Sequence, residues 1–554
     1  MKLNRCGLIL LAFCCACAGN GPQQAADRIF LNADIWTGDA ARPQAEAMAV
    51  SADRLLAVGS NDEIGKHRGP ATVVTDLKRS FVAPGFIDAH THFLALERIE
   101  LDEAADVAEI QDRIRRFKEQ HPDSPWLTGR GWTYTMFPSS LPHWKYLDEV
   151  EPELPVFVRD RDGHAGLANS RALAAAGVDR STPDPPGGAI ERDAAGDATG
   201  VLKEKAMGLV SRLIPEAGEE EIYRTLKKRM DQAASYGLTS IHNASSINLP
   251  VYERVTAEGG LKVRVYASVP FVTEPSADTL SRYRALRERH RGPQIKYGAV
   301  KGMLDGTIDS RTAVVFEPYV GGGTGILMWN EEDLDRAVAL YDREGFQVLL
   351  HAIGDRAVHV ALNAYEKAAR SNGTSGRRHR IEHIELPQLS DLPRFRQLGV
   401  IASTQAIFAN PDQATLGNYA VLLGRERASR SNAFRLFDDA GAVQAFGSDW
   451  PVSTMEVLRG MYAAVSRTTP EGTPPGGWYP ENRISADAAL RHYTRDAAYA
   501  SFDEEIKGTL TPGKLADFVV LSEDILEPPS ERILSAKVLM CVMGGKETFR
   551  SPGF

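Results

Sequence analysis

The chain has 554 residues, of which 25% are charged and 43% are hydrophobic, a balance typical of a soluble globular protein. This length corresponds to roughly three or four domains of average size, although a single barrel can take up much of it. The net charge is −9 and the chain contains no block of lysine and arginine, which argues against a protein built to bind nucleic acid.

Residues 1–18 have the features of an export signal. Two basic residues precede an apolar stretch at positions 7–13, and small residues follow it. The stretch is too short to cross a bilayer. The pair Ala16-Cys17 predicts a lipid-modified cysteine, with simple cleavage after Ala18 as the alternative. The expected location is therefore the periplasm or, through lipid on Cys17, the membrane surface.

Short alternating segments at both ends of the chain predict a small β-domain. Between residues 28 and 82, runs with apolar and polar alternation are separated by Gly, Asn and Asp. A similar pattern returns near the end of the chain, where Gly544-Gly545 is typical of a hairpin turn. We predict that residues 27–83 and 505–554 together form one small β-sandwich domain.

The middle of the chain has the pattern of a parallel α/β fold, because apolar runs alternate with helical segments such as EEDLDRAVALYDREG. Eight runs qualify as strands, the number that closes a (β/α)8 TIM barrel, here predicted over residues 84–504. The runs are 85–90, 238–243, 262–269, 294–301, 346–352, 379–384, 400–406 and 443–449. The gap between the first two is too long for a loop, so residues from about 95 to 210 are expected to form an inserted lobe.

Six polar residues lie at the ends of five of these strands. Alternate side chains of a strand face the same side, so the two histidines of HTH aim at one point. The carboxyl ends of parallel strands meet at one mouth of a barrel, where the others should join them. Each alone could be an ordinary polar strand terminus, but six at the same end favour a metal site. They are His90, His92, Lys301, His351, His383 and Asp449.

Eight motifs, spread over nearly the whole chain after the leader, carry a family resemblance. They are PGFIDAHTH, DGHAGLANSRAL, GLTSIHN, VKGMLDGTIDSRTA, LLHAIGDRA, RIEHIE, FGSDWPV and GKLADFVVL. In this order they resemble the amidohydrolase superfamily, and within it the YtcJ-like branch, the amidohydrolase-3 group. The set is specific for the family and its barrel, and says little about the substrate.

The resemblance implies a centre with two divalent metal ions. In it, one ion is held by His90 and His92, and the second by His351 and His383. Lys301 matches a lysine that takes up CO₂, and its carbamate bridges the ions. Imidazole and carboxylate ligands without a thiolate suit Zn²⁺. A site with one ion stays open, because carboxylation of a lysine is not encoded in the sequence.

Such a centre predicts hydrolysis. Two ions roughly 3.5–4 Å apart can hold one hydroxide and polarise a carbonyl group. A bound ion can lower the pKa of water to about 7, which permits attack at neutral pH. The resemblance assigns proton transfer to Asp449, which would accept the proton of that water and pass it to a leaving nitrogen.

Five further residues are predicted to contact the substrate. His164 comes from the inserted lobe, and His242 ends the second strand. Arg311 follows the fourth strand and could clamp a carboxylate or a carbonyl group. Gln405 ends the seventh strand, and Trp132 could supply an apolar wall. A purely local structural role is the alternative for each of them.

The sequence thus predicts an exported, metal-dependent amidohydrolase that cleaves a non-peptide C–N bond in a small molecule. One alternative is hydrolysis of an ester, a lactone or a phosphoester at the same metals. Another is a binding or regulatory protein that retains the barrel without catalysis. A homodimer is compatible with the sequence, and the identity of the substrate is not determined by it.

Overall fold

The structure is a computed structural model that describes residues 24–94, 98–102, 104–122, 124–373, 375–411 and 419–554. The predicted leader, including Cys17, lies outside the described residues. Among the helices of these ranges, none combines the length and the apolar character that a membrane span requires.

Eight parallel strands form the central sheet, each hydrogen-bonded to the next in chain order, as the sequence predicts. They are Phe86–Thr91, Leu238–Asn243, Arg264–Pro270, Ile295–Met303, Gln347–Ala352, Arg380–His383, Ile401–Gln405 and Gln444–Gly447. The first and last strands meet through the N–H of His92, which donates to Trp450 O at 2.7 Å, and the N–H of Asp449, which donates to His90 O at 2.8 Å. These bonds nearly close the barrel and bring the residues after both strands together.

The helices around the barrel bury one apolar stripe each. The helix Glu331–Arg343 begins at Asn330, whose side-chain oxygen accepts the N–H of Asp333 at 2.9 Å. Its buried residues Leu334, Val338 and Tyr341 recur at helical spacing and face the sheet. The other helices of the barrel region are Glu219–Ser235, Leu249–Ala257, Ala277–Arg289, Asp355–Asn372, Leu392–Leu398, Arg425–Ala428, Phe434–Asp439, Val457–Ser466, Ala486–His492 and Arg495–Ala500.

A six-stranded mixed sheet follows the first barrel strand, in the region predicted as an inserted lobe. Its strands are Ile99–Glu100, Leu127–Trp132, Val156–Asp160, Ala165–Ala168, Gly188–Arg192 and Ala198–Glu204. Its helices are Val107–Gln120, Lys145–Asp148, Ser170–Ala176 and Gly208–Ser211. The domain boundaries drawn from the sequence stay predictions.

Two further sheets are built from the ends of the chain. One contains Arg54–Gly59, Ala47–Ser51, Arg28–Leu31 and Val73–Asp76, and the helix Asn61–Gly65 lies beside it. The other contains Lys546–Arg550, Val538–Met543, Phe518–Leu521, Phe81–Pro84, Asp34–Trp36 and Gln44–Ala45, and the helix Glu531–Ser535 precedes its C-terminal hairpin. Phe30 and Phe518 stack edge to face at 4.9 Å in the core that the two sheets share. Both ends of the chain therefore contribute to one β-structure, as predicted.

Candidate metal centre and substrate cavity

Three predicted ligands form a compact cluster at the carboxyl ends of the barrel strands. Ligand atoms of His90, His383 and Asp449 all lie within 4.8 Å of one another, and all three residues are buried. Asp449 Oδ1 lies 3.3 Å from Nε2 of His90 and 3.3 Å from Nε2 of His92. Asp449 Oδ2 lies 3.8 Å from Nδ1 of His383. The strand ends thus bring four predicted ligands to one point.

Two of these residues have unusual backbone conformations. The φ angles of His383 and Asp449 are +78° and +55°, in the left-handed region that non-glycine residues rarely adopt. Each such residue costs on the order of 1–3 kcal/mol, and residues of this kind cluster at functional sites. The conformation turns both side chains toward the cluster at the point where their strands end.

The chemical state of the cluster fits a divalent cation. Asp449 Oδ1 is buried and has no hydrogen-bond partner among the described residues, so a cation would satisfy it. Burial alone would raise the pKa of Asp449, but His383 and the two other histidines hold it well below its usual value. Burial lowers the pKa of His383 to about 3 and that of His351 well below its ordinary value. A carboxylate and neutral imidazoles are the forms that ligate metal.

The two remaining predicted ligands border this cluster. The imidazole ring of His351 lies 4.5 Å from that of His383, measured between centroids. Lys301 Nζ lies 3.5 Å from His90 Nε2. Desolvation at the strand ends lowers the pKa of the Lys301 amine, against the opposing effect of Glu382 and Asp449. The structure therefore brings all six predicted ligands together around one point.

A buried ionic network beneath the cluster orients His90. Glu382 Oε2 lies 2.5 Å from His90 Nδ1, and Arg380 Nε donates to Glu382 Oε1 at 2.8 Å. Arg380 and Glu382 are fully buried. Removal of one member of such a group costs about 3–5 kcal/mol, because it leaves a buried charge unpaired. The network thus fixes the ring orientation of His90 and leaves Nε2 for the cluster.

A cavity of about 900 Å³ opens from the cluster toward the lobe. Its barrel side is lined by His92, Lys301, His351, His383 and Asp449, and its lobe side includes His164. Nδ1 of His164 is 3.0 and 3.1 Å from the two carboxylate oxygens of Glu204. Burial alone would lower the pKa of His164, but the bond to Glu204 outweighs it and raises the pKa to about 9. His164 therefore brings a positive charge to the cavity at neutral pH.

Comparison with known proteins decides the family. The sequence profile of the Amidohydrolase family (Amidohydro_3) matches residues 73–549. The chain belongs to the amidohydrolase family. The resemblance predicted from the eight motifs is thereby confirmed.

Relatives of this amidohydrolase come from plants and bacteria. It is 32% identical to Protein LONG AFTER FAR-RED 3 of Arabidopsis thaliana, over 95% of this chain and 92% of that protein. It is 29% identical to YtcJ of Bacillus subtilis (strain 168), over 89% and 94% of the two chains. It is 27% identical to an N-substituted formamide deformylase of Arthrobacter pascens, over 96% and 99%.

A solved structure shares the fold of this amidohydrolase. It is an uncharacterized metal-dependent hydrolase from Pyrococcus horikoshii OT3, with 24% identity and a TM-score of 0.71, and the match covers 91% of this chain and 99% of that one. This likeness supports the barrel and its additional sheets.

Among the predicted substrate contacts of this amidohydrolase, His164 lines the cavity and four others lie elsewhere. His242 is buried below the cluster, where its Nδ1 accepts a hydrogen bond from Arg380 Nη1 at 3.1 Å. Gln405 Oε1 accepts a hydrogen bond from His383 Nδ1 at 2.9 Å. Within the described residues, the lining of the cavity includes neither of them. Gln405 therefore contacts the candidate ligand His383 from behind, and His242 contacts Arg380.

Trp132 and Arg311 are also placed away from the cavity. Trp132 is fully buried in the core of the lobe, and its indole N–H donates to Val158 O at 2.8 Å. Arg311 is exposed to solvent, and neither residue belongs to the described lining of the cavity. Trp132 therefore does not form the expected apolar wall of the cavity, and Arg311 does not form the expected carboxylate clamp.

Several residues of the site were not predicted from the sequence. Glu382 directly precedes His383, and strand alternation would have placed it on the side opposite to that ligand. Asp88 Oδ1 accepts the backbone N–H of Ser448 at 2.9 Å and thereby holds the last strand against the first. Glu204 comes from a distant lobe strand. The sequence offers a signal for Asp88 alone, which stands two residues before His90.

Proposed function

We propose that the protein is a metal-dependent hydrolase that cleaves the C–N bond of an amide-like group outside peptides. One observation carries this proposal: the buried cluster of His90, His383 and Asp449 opens, together with Lys301, into a cavity large enough for a small molecule. The N-substituted formamide deformylase among the relatives supports the C–N bond as the target.

The ligand set that we propose is His90, His92, His351, His383 and Asp449, with Lys301 as a carbamate between two Zn²⁺ ions. When bound, a divalent ion supplies a Lewis acid that polarises a carbonyl group and activates water. The cluster fits this role because Asp449 Oδ1 lacks a hydrogen-bond partner among the described residues.

Residues of the chain would transfer the proton and bind the substrate. Asp449 is held deprotonated, so its carboxylate can accept a proton from water and later return it to the leaving nitrogen. His164 is held protonated by Glu204 and can donate a hydrogen bond to an oxygen of the substrate from the lobe side of the cavity. Residues of the lobe, among them His164, line the side of the cavity that faces the strand ends.

Metal removal tests this function directly. The protein is stripped with a chelator, reloaded with Zn²⁺, and assayed against formamides, N-acyl amino acids, cyclic amides, lactones and phosphotriesters. We expect turnover of at least one amide, its loss on stripping and its return on reloading, since general acid–base help alone contributes only about 10²–10⁴-fold. Turnover restricted to esters, lactones or phosphotriesters, or an amidase activity that survives complete stripping, would contradict the proposal.

Export remains a proposal that rests on residues 1–18, with lipid attachment at Cys17 as its more specific form. Growth with radioactive palmitate, with and without Cys17→Ala, tests the lipid. Label retained by the variant would rule out Cys17, and an intact N-terminus on a cytoplasmic protein would rule out export. A homodimer likewise stays a prediction.

A further inference from the structure

The lobe presents a group of arginines to the cavity. Arg130 and Arg159 are register partners on neighbouring parallel strands, and Arg130 also pairs in register with Glu100 of the next strand. Register partners project from the same face of a sheet. Arg98 directly precedes the strand Ile99–Glu100 and borders the same cavity. All four residues line the cavity that holds the metal cluster.

The packing of the opposite face of this sheet fixes the direction in which the arginines point. Ile99, Val156 and Val158 are buried in the core of the lobe together with Ile110 and Ile114 of the helix Val107–Gln120. A slip of one residue would expose these apolar side chains and bury the charged ones. The arginine face is therefore a consequence of the packing of the lobe, and it must point toward the barrel.

These arginines have few polar partners among the described residues. There, no side-chain hydrogen bond or ion pair involves Arg98 or Arg159, although the charges of neighbouring residues act on both. Arg130 Nη2 donates to Arg161 O at 2.6 Å, but its Nε is buried without an acceptor. A buried donor that lacks an acceptor is costly and calls for an explanation.

Carboxylates also line this side of the cavity. Among the described residues they are Glu100, Asp102, Asp160 and Asp162, and none of them forms a hydrogen bond or an ion pair with Arg98 or Arg159. Asp160 Oδ1 instead accepts the backbone N–H of Ala165 at 2.8 Å. Burial and then the neighbouring arginines lower the pKa of Arg98. This mutual repulsion would be relieved by an anion bound between the guanidinium groups.

We propose that Arg98, Arg130 and Arg159 bind a carboxylate of the substrate, and that the substrates are N-acyl amino acids and related amides with a free carboxylate. A guanidinium presents two parallel N–H donors that match the two oxygens of a carboxylate. Because the metal cluster lies in the same cavity, one molecule can place its amide there while its carboxylate reaches the lobe. The inference rests on the proposed amide hydrolysis and adds its substrate class.

A pair of matched substrates tests whether the negative charge of the carboxylate contributes to recognition. An N-acetyl amino acid and its carboxamide contain the same acetyl–nitrogen bond, and only the acid carries the negative charge. With the metal-loaded protein, we expect kcat/KM for acetate release to be about ten- to hundredfold higher for the acid, mostly through KM. Arg98→Gln and Arg159→Gln should each reduce this preference. The control is Arg115→Gln, on the exposed side of the lobe helix, where Arg115 pairs with Asp112 at 3.1 Å.

A binding measurement separates this inference from the proposed function. Calorimetric titration of the metal-loaded protein with the acid and the carboxamide reports recognition whether or not either is cleaved. Tighter binding of the acid without cleavage of any amide would support the arginine site and overturn the proposed reaction. Equal binding of both compounds by the wild-type protein, or a preference that persists in Arg98→Gln/Arg159→Gln, would overturn the carboxylate site. Equal binding by the wild-type protein overturns the site even if the glutamine variants do not fold.

Discussion

The substitution Asp449→Asn is expected to lower kcat on the best amide substrate by at least about 10²–10⁴-fold, the range typical of general acid–base catalysis. Asp449 Oδ1 lies 3.3 Å from Nε2 of His90 and His92 and has no hydrogen-bond partner among the described residues. An asparagine keeps the shape of the side chain but cannot accept the proton. Loss of an anionic ligand would add to this effect, so the metal content is measured with the rate.

The matched control for this variant is Asp391→Asn. Asp391 is also buried, but it accepts hydrogen bonds from Arg394 at 2.9 Å and contacts Nδ1 of His359 at 3.0 Å, away from the cavity. The control should retain the wild-type kcat even if its melting temperature falls. Near-wild-type turnover by metal-loaded Asp449→Asn would show that another group transfers the proton.

For Lys301→Ala we expect a reduced metal content and nearly complete loss of activity. The amine lies 3.5 Å from His90 Nε2, and desolvation lowers its pKa, which favours the neutral form that can take up CO₂. The proposed carbamate would be anionic and would offer two oxygens, so the modification would turn a cationic residue into a bridging ligand. A short carboxylic acid added to the buffer should occupy the gap and restore part of the activity.

The control for Lys301 lies on the same strand. Lys296 Nζ contacts Asp503 Oδ1 at 2.7 Å, far along the strand from the mouth of the barrel. Lys296→Ala should therefore keep the metal content, and its activity per folded molecule should not depend on added acid. If Lys301→Ala retains both its metal and its turnover, the lysine is an ordinary cavity residue. A crystal structure with or without extra density on Nζ provides an independent answer.

The sequence by itself determined the barrel and the positions of its candidate metal ligands along the chain. Apolar runs such as those ending at His351 and His383 can be recognised as buried strands, because both faces of a parallel barrel strand are covered. Once these runs are strands, the residues at their carboxyl ends must meet at one mouth. The family resemblance then supplied the roles that strand geometry alone could not distinguish.

Only the tertiary structure decided which of the other polar residues reach the cavity. His242 and Gln405 stand at strand ends like the ligands, yet depth and strand direction place both behind them, against Arg380 and His383. Sequence spacing does not specify this depth, because it depends on how neighbouring strands are staggered around the barrel. Arg98, Arg130 and Arg159 are separated by about thirty residues each, and only the pairing of the lobe strands joins them at one side of the cavity. Local sequence determines what a residue can do, whereas long-range strand pairing determines which residues do it together.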